Sequence, residues 1–261
     1  MPSSPQTPID AQADREKHRV ALSSLLAAIV LTGTKAGIGW WTNSLGILSE
    51  AAHSGLDLVA AAITLWAVRI ASRPADREHT YGHGKFENLS AMVETLLLLL
   101  TCVWIIYEAV HRLFFQEQVH VDPNVWAFLV VILSILIDVS RSRALDRVAR
   151  KYQSQALEAD ALHFSTDVWS SSVVLFGLLG VLAAEKLNQS WLANADSVAA
   201  LGVAAIVVWV SLKLGKKTVS DLLDAVPEEL PSQVAAAAAN APGVEQVKQV
   251  RVRRSGPEVF A

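Results

Sequence analysis

The chain alternates long apolar runs with short polar stretches, and this alternation is its main structural signal. A run of about 20 apolar residues crosses roughly 30 Å of hydrocarbon when it is helical. Six runs of this kind occur, the fourth of them short: Val20–Trp41, Gly46–Ile70, Leu89–Phe114, Val125–Val139, Leu157–Ala184 and Trp191–Leu214. The pattern predicts an all-α membrane protein with six transmembrane helices.

The polar stretches between the runs predict how the chain is oriented. Most of the 22 lysines and arginines lie before the first run, in the second-to-third and fourth-to-fifth connections, and after the sixth run. Positively charged residues accumulate on the cytoplasmic side of membrane proteins, so we expect both termini to be cytoplasmic. The expected organisation is a cytoplasmic tail over 1–19, a membrane domain over 20–217 and a cytoplasmic region over 218–261.

The C-terminal region has the composition of a small α+β unit. An alanine-rich stretch, Gln233–Ala241, predicts a helix, and alternating apolar and basic residues over Val247–Arg254 predict a strand. A helix and the beginning of a sheet bury too little apolar surface to fold alone. We therefore expect this region to be the truncated start of a larger cytoplasmic domain.

Composition excludes several other classes of protein. Charged residues make up 18% of the chain, whereas a soluble domain carries about a quarter. The net charge of -3 gives no basic excess of the kind that nucleic-acid binding requires. The single cysteine, Cys102, excludes an intrachain disulfide and a multi-cysteine metal cage.

Two of the predicted spans contain a histidine followed four residues later by an aspartate. His53 and Asp57 form this pair in the second span, and His163 and Asp167 form it in the fifth. Residues four apart lie on one face of a helix, so each pair can hold one ion. Two imidazoles and two carboxylates suit tetrahedral Zn²⁺ better than Mg²⁺ or Ca²⁺. A single pair could be a structural hydrogen bond, but two copies favour a shared metal site.

Further polar residues are candidates for supporting roles. Asp76, His79 and His83 lie in the loop after the second span and could bind a second cation, although a solvated polar loop explains them nearly as well. Glu50 and Asp160 each precede a proposed ligand by three residues, about one helical turn. They are candidates for orienting a ligand or for relaying protons.

Three segments together resemble the cation diffusion facilitator family of divalent metal exporters. They read LSEAAHSGLD over Leu48–Asp57 after Ser44-Leu45, RPAD and YGHGKFE over Arg73–Glu87, and DALH over Asp160–His163 continuing to Asp167, with LLD at Leu222–Asp224 closing the membrane part. The resemblance implies a six-helix membrane domain, a ferredoxin-like cytoplasmic domain and a homodimer. It also implies a transport site at the two His–Asp pairs.

The same resemblance implies roles for the remaining motif residues. Histidine in the first position of both pairs goes with zinc in this family, whereas all-carboxylate pairs go with manganese or a broader choice. Asp76, His79 and His83 match a second zinc site of some members. Lys85 and Asp224 match a salt bridge that interlocks the dimer near the membrane surface in some relatives.

These observations predict a Zn²⁺/H⁺ antiporter that moves zinc outward, with zinc as substrate. The short connection between the fourth and fifth spans has no histidine-rich stretch, which favours a bacterial inner-membrane protein. The principal alternative is an exporter of the same family that also carries cadmium, cobalt, iron, nickel or manganese. A cation channel and a membrane metalloenzyme are more distant alternatives. Four protein ligands leave no open metal position for water, and no H-E-x-x-H motif occurs, so we expect no enzyme activity.

Overall fold

Over the residues that the structure describes, the chain forms six long helices followed by a short helix and a small sheet. The structure is a computed structural model that describes residues 8–42, 45–115, 125–187, 192–256 and 258–261. The elements are α1 Pro8–Thr42, α2 Leu45–Ala71, α3 Lys85–Phe115, α4 Val125–Tyr152, α5 Gln155–Leu187, α6 Leu192–Leu222, α7 Glu229–Ala239, β1 Arg253–Ser255 and β2 Glu258–Phe260. Residues 1–7 of the predicted tail, Ser44 of the first motif and Trp191 of the predicted sixth span lie outside the described residues.

The exterior of the bundle is apolar, as expected of a protein surrounded by lipid. Among the described residues, three helical segments are long and apolar enough to cross a bilayer: Ala11–Thr42, Glu50–Ala71 and Lys85–Trp104. Large apolar side chains that a soluble protein would bury are exposed on α1, α3 and α6, among them Trp40, Trp104 and Trp209. So much exposed apolar surface indicates contact with lipid or with other chains.

The fourth helix continues well beyond its predicted apolar run. The run ends at Val139, whereas α4 continues to Tyr152. Arginine is a good helix former, and Arg150 pairs with Asp146 one turn earlier, with an Nε–Oδ2 distance of 2.9 Å. Hydropathy therefore marks where the apolar segment ends, but the helix ends later.

Helix α5 lies at the centre of the bundle. It packs against α2, α3, α4 and α6, while α1 packs mainly on α2, and α3 on α6. A buried apolar cluster joins α1, α2, α4 and α5, with Phe164 and Leu157 of α5 meeting Leu145 of α4 and Val68 of α2. This packing brings the two helices that carry the His–Asp pairs to opposite sides of one interface.

A buried ion pair fastens α1 to the start of α3. Lys17 Nζ lies 2.9 Å from Glu87 Oε1, and both residues are almost completely buried. Ser154, in the turn between α4 and α5, also donates a hydrogen bond to Glu87. Removing one partner of a buried pair typically costs about 3–5 kcal/mol because the other charge is left uncompensated.

The C-terminal segment differs from its prediction in detail. The predicted helix Gln233–Ala241 begins earlier, at Glu229, and ends at Ala239. The strand predicted over Val247–Arg254 is wrong for most of its length, because β1 covers only Arg253–Ser255. Alternation supplies the faces of a strand, but a strand also needs a hydrogen-bonding partner, and β2 pairs with β1 alone among the described residues.

The β1–β2 hairpin packs against the loop between α2 and α3. The Arg253 guanidinium lies 3.5 Å from the centre of the Tyr81 ring, and Phe260 contacts the same ring edge-on. Gly84 is essential to this approach, because a Cβ there would lie 2.6 Å from the backbone carbonyl of Ser255. The loop is therefore held from the C-terminal side as well as by its own helices.

Candidate metal sites

Three of the four predicted transport ligands converge between α2 and α5. His163 Nε2 lies 3.1 Å from Asp57 Oδ1 and 3.5 Å from Asp167 Oδ2. Relative exposure is 4% for His163 and 8% for each of the two aspartates. The spacing of four places His163 above Asp167 on α5, and the packing of α2 on α5 brings Asp57 to the same point.

The fourth predicted ligand lies at the edge of this group. His53 Nε2 is 3.9 Å from Asp167 Oδ1, and 41% of the His53 side chain is exposed. His53, Asp57, His163 and Asp167 are called the α2–α5 cluster below. Three of its members are buried, and one borders the accessible surface.

The separations within the α2–α5 cluster fit the edges of a small coordination sphere. Zinc bonds of about 2.0–2.2 Å to nitrogen and oxygen in a tetrahedron place neighbouring donors about 3.3–3.5 Å apart. The distances from His163 to the two aspartates fall within 0.3 Å of this range, and the His53–Asp167 distance is somewhat longer.

A second group of donors lies in the loop between α2 and α3. Asp76 Oδ1 is 3.3 Å from His79 Nδ1, and Asp76 Oδ2 is 3.4 Å from His83 Nε2. One donor atom from each residue lies within 4.8 Å of the other two. These three residues are called the loop cluster below.

The backbone of the loop orients the Asp76 carboxylate. Its carboxylate accepts hydrogen bonds from the backbone N–H groups of His79 and Glu78. These donors, chiefly that of His79, lower the pKa of Asp76 below its usual value. His83 is buried and stacks on Phe86, whereas Asp76 and His79 are exposed. The loop thus presents an ionised carboxylate beside two imidazoles.

Comparison with known proteins identifies the family. The family of the cation efflux transmembrane domain matches residues 21–223. The chain is 33% identical over 255 residues to the cation-efflux pump FieF of Yersinia enterocolitica, covering 97% of this chain and 81% of the relative. It is 31% identical over 242 residues to the cation-efflux pump FieF of Pectobacterium atrosepticum, covering 92% and 77%. The chain belongs to the cation diffusion facilitator family.

Membership in the cation diffusion facilitator family determines the general activity. The chain is a membrane-embedded cation efflux transporter and not an enzyme. The predicted resemblance to this family is thereby confirmed.

In this family member Lys85 and Asp224 form an ion pair within one chain. Lys85 Nζ lies 2.8 Å from Asp224 Oδ1 and also donates to the carbonyl oxygen of Leu222, at the C-terminus of α6. The pair therefore joins the start of α3 to the end of α6. Its predicted role in a dimer stays a prediction.

The two predicted relay residues lie in different surroundings. Glu50 Oε2 is 3.3 Å from Lys35 Nζ, and Lys35 donates to Ser54 Oγ. Asp160 is fully buried and accepts a hydrogen bond from Ser24 at 3.5 Å. Glu50 thus lies beside a cation of α1, and Asp160 lies within the bundle. Their relay role stays a prediction.

Sequence reasoning missed a buried network next to the α2–α5 cluster. Arg141 donates to Ser24 Oγ, lies 3.3 Å from Asp138 Oδ1, and stacks at 3.4 Å on the ring of Phe164, the neighbour of His163. Glu94 of α3 is fully buried and accepts a hydrogen bond from Thr64 of α2. Asp138 and Glu94 are each an isolated acidic residue within an apolar run of the sequence. Isolated charges carry no spacing signal that would place them beside the cluster.

Proposed function

We propose that this transporter exports Zn²⁺ from the cytoplasm in exchange for protons through the α2–α5 cluster. Six transmembrane helices enclose the site, and both termini are cytoplasmic. His53, Asp57, His163 and Asp167 are the metal ligands, and zinc is the substrate.

The observation that carries this proposal is the convergence of Asp57, His163 and Asp167 in the interior. Burying charged and polar groups costs several kcal/mol unless they are compensated. Nδ1 of His163 and Oδ2 of Asp167 are buried without a hydrogen-bond partner among the described residues. A bound cation would compensate the two carboxylates and would give Asp167 Oδ2 a ligand bond in place of the hydrogen bond that it lacks among the described residues.

Proton exchange follows from the chemistry of the same donors. Imidazole nitrogens and carboxylate oxygens bind either a metal ion or a proton, so the two compete. Zinc enters from the cytoplasm while the donors are deprotonated. Movement of α2 and α5 relative to other helices then opens the site outward. Protons displace zinc there and return with the empty carrier, with Glu50 and Asp160 relaying them.

A broader choice of metal is the second candidate, and the position of His53 favours it. The three inner donors are one imidazole and two carboxylates, a harder set than two imidazoles and two carboxylates. Harder donors accept Mn²⁺ and Fe²⁺ more readily than nitrogen-rich sets do. Cadmium, cobalt and nickel are further candidate substrates under this alternative.

The remaining features of the proposal rest on resemblance to the family. The loop cluster of Asp76, His79 and His83 holds a second zinc ion. The protein is a homodimer in a bacterial inner membrane, with Lys85 and Asp224 interlocking the dimer. The region after α6 belongs to a ferredoxin-like cytoplasmic domain.

Zinc flux into sealed proteoliposomes tests the central proposal. We expect flux that increases with an imposed proton gradient and that Asp57→Asn abolishes. Asp14→Asn is the matched control, because this partly buried carboxylate near the start of α1, 3.8 Å from Lys17, belongs to neither cluster. Flux that ignores the proton gradient would indicate a channel. Flux of manganese or iron without zinc would retain the transporter and replace its metal.

A further inference from the structure

An open groove crosses the face of the bundle formed by α4, α5 and α6. Its volume is about 510 Å³, and Ala161, Leu162 and Ser165 of α5 form its floor. Helices α4 and α6 both pack against α5, but within the described residues they make little contact with each other. The groove therefore lies between two helices that both pack on α5 and make little direct contact with each other among the described residues.

The walls of the groove carry an excess of positive charge. Four cations and two acids line it: Arg143, Arg150, Lys213, Lys217, Asp146 and Glu158. Two ion pairs form, Arg150 with Asp146 at 2.9 Å and Lys217 with Glu158 at 2.6 Å. Among the described residues, no acid pairs with Arg143 or Lys213, so the groove offers two free cations on opposite walls.

These two cations lie deeper along their helices than the paired ones. Arg143 precedes Arg150 by two turns, about 10 Å, and Lys213 precedes Lys217 by about 6 Å, at 1.5 Å per residue. If the C-terminal ends of α4 and α6 are cytoplasmic, both cations lie on the bilayer side of the paired charges. Lys213 Nζ also lies 5.8 Å from the exposed Trp209 ring, and tryptophan is enriched at membrane interfaces.

We propose that this groove binds the headgroup of an anionic phospholipid from the cytoplasmic leaflet, with Arg143 and Lys213 holding its phosphate. The proposal rests on the membrane orientation given under the proposed function. Basic pockets between transmembrane helices on the cytoplasmic side suit anionic headgroups. Exposed Ile206 of α6, one helical turn before Val210 of the groove lining, provides apolar surface for an acyl chain. A lipid held on both walls would join α4 to α6.

Binding of phosphatidylglycerol to the purified full chain tests this site. The double variant Arg143→Gln/Lys213→Gln should bind phosphatidylglycerol about thirtyfold more weakly in a native mass spectrometry titration, since each basic residue near an anionic surface contributes about a factor of five. The matched control is Arg147→Gln/Lys216→Gln, which removes the same charges from the same helices outside the groove lining. The control should bind like the unsubstituted chain.

Melting temperature supplies an independent readout of the same lipid. Phosphatidylglycerol should raise it more than phosphatidylcholine does, and only the groove variant should lose the difference. Equal lipid binding by the two double variants would overturn the proposal. An equal rise with inorganic phosphate alone would also overturn it, because the ligand would then be a soluble anion. Neither readout needs metal transport, so failure here is separable from failure of the zinc proposal.

Discussion

The α2–α5 cluster and the loop cluster contain the same donor types in opposite settings. In the first, His163 and Asp57 are buried, belong to different helices and are 106 residues apart in the sequence. In the second, all three residues lie in one short loop, and Asp76 and His79 are exposed. Exposed charges cost little, whereas buried charges must be compensated. Burial therefore supports a metal role far more strongly for the first cluster than for the second.

The two clusters also differ in how helix movement would affect them. Any shift of α2 against α5 changes the distance between Asp57 and His163, because each is carried by one of these helices. The loop cluster moves as a unit, and the hairpin contact at Gly84 anchors the same loop. Under the proposed function, the α2–α5 cluster would bind and release an ion as helices move, and the loop cluster would retain one.

The largest expected effect is removal of the central imidazole. His163 contacts both aspartates, so His163→Ala should lower zinc flux in proteoliposomes by at least about a hundredfold, more than loss of an outer contact would. Zinc held by the loop cluster should remain, measured as bound metal per chain after dialysis. His18→Ala, on α1 outside both clusters, is the control and should transport normally. Normal flux in His163→Ala would exclude the assigned site.

Replacing His53, the ligand at the edge of the α2–α5 cluster, should change the metal preference by about tenfold. His53→Asp replaces a nitrogen donor by oxygen, which favours manganese over zinc. The ratio of manganese to zinc flux should rise by about tenfold. His53→Asn is the control, because it removes the imidazole without adding a carboxylate and should weaken zinc without gaining manganese. An unchanged ratio in His53→Asp would show that His53 does not select the metal.

The sequence predicted the donors of both clusters, because the two members of each His–Asp pair and the three members of the loop cluster are close in the chain. A spacing of four fixes which residues share a helix face, so the pairing of His163 with Asp167 was predictable. It does not fix how two helices are rotated against each other. The sequence therefore predicts the same metal-ligand role for both histidines. In the structure, however, His163 lies near both aspartates, whereas His53 lies at the edge of the cluster.

Contacts between single residues on different helices were not predictable either, because residue spacing does not fix how helices are rotated against each other. Arg141 reaches Ser24 and Glu94 accepts from Thr64 across helix interfaces, and neither pair has a periodic signature. The buried Lys17–Glu87 pair was missed because both residues lie near helix ends, where exposure is the usual expectation. The type of each long element was easier to predict, because the apolar runs define the helices. Helix ends such as that of α4 were harder to predict, because they depend on polar residues beyond the apolar run.

A change in metal content with little change in flux is expected from the loop cluster. His79→Asn should lower bound zinc by one ion per chain. Zinc flux should fall less than about threefold, because the proposed transport site is the α2–α5 cluster and not the loop cluster. The pKa of Asp76 is lowered, so its carboxylate stays ionised as the pH falls from 7 to 5. A carboxyl group with a lowered pKa becomes protonated only when the pH falls below its usual range. Acid release of this zinc would therefore reflect imidazole protonation.

Equilibrium dialysis at pH 7 and pH 5 measures this release. Glu78→Gln is the control, because its side chain is not among the cluster donors, and its zinc content should match that of the unsubstituted chain at both values. Unchanged zinc content in His79→Asn at pH 7 would mean that the loop is a solvated turn, the alternative that its sequence left open.

The smallest expected effect concerns the ion pair between α3 and the end of α6. Exposed pairs contribute about 0–1 kcal/mol, and 42% of the Asp224 side chain is exposed. Asp224→Asn should therefore lower the free energy of unfolding by less than about 1 kcal/mol, and asparagine also tolerates the positive φ of 60° found there. Lys85→Met should cost more in the same denaturation measurement, because it also removes the donor to Leu222 at the C-terminus of α6. Equal losses would assign the whole effect to the charge pair, whereas a concentration-dependent loss in both variants would place the pair at a dimer contact.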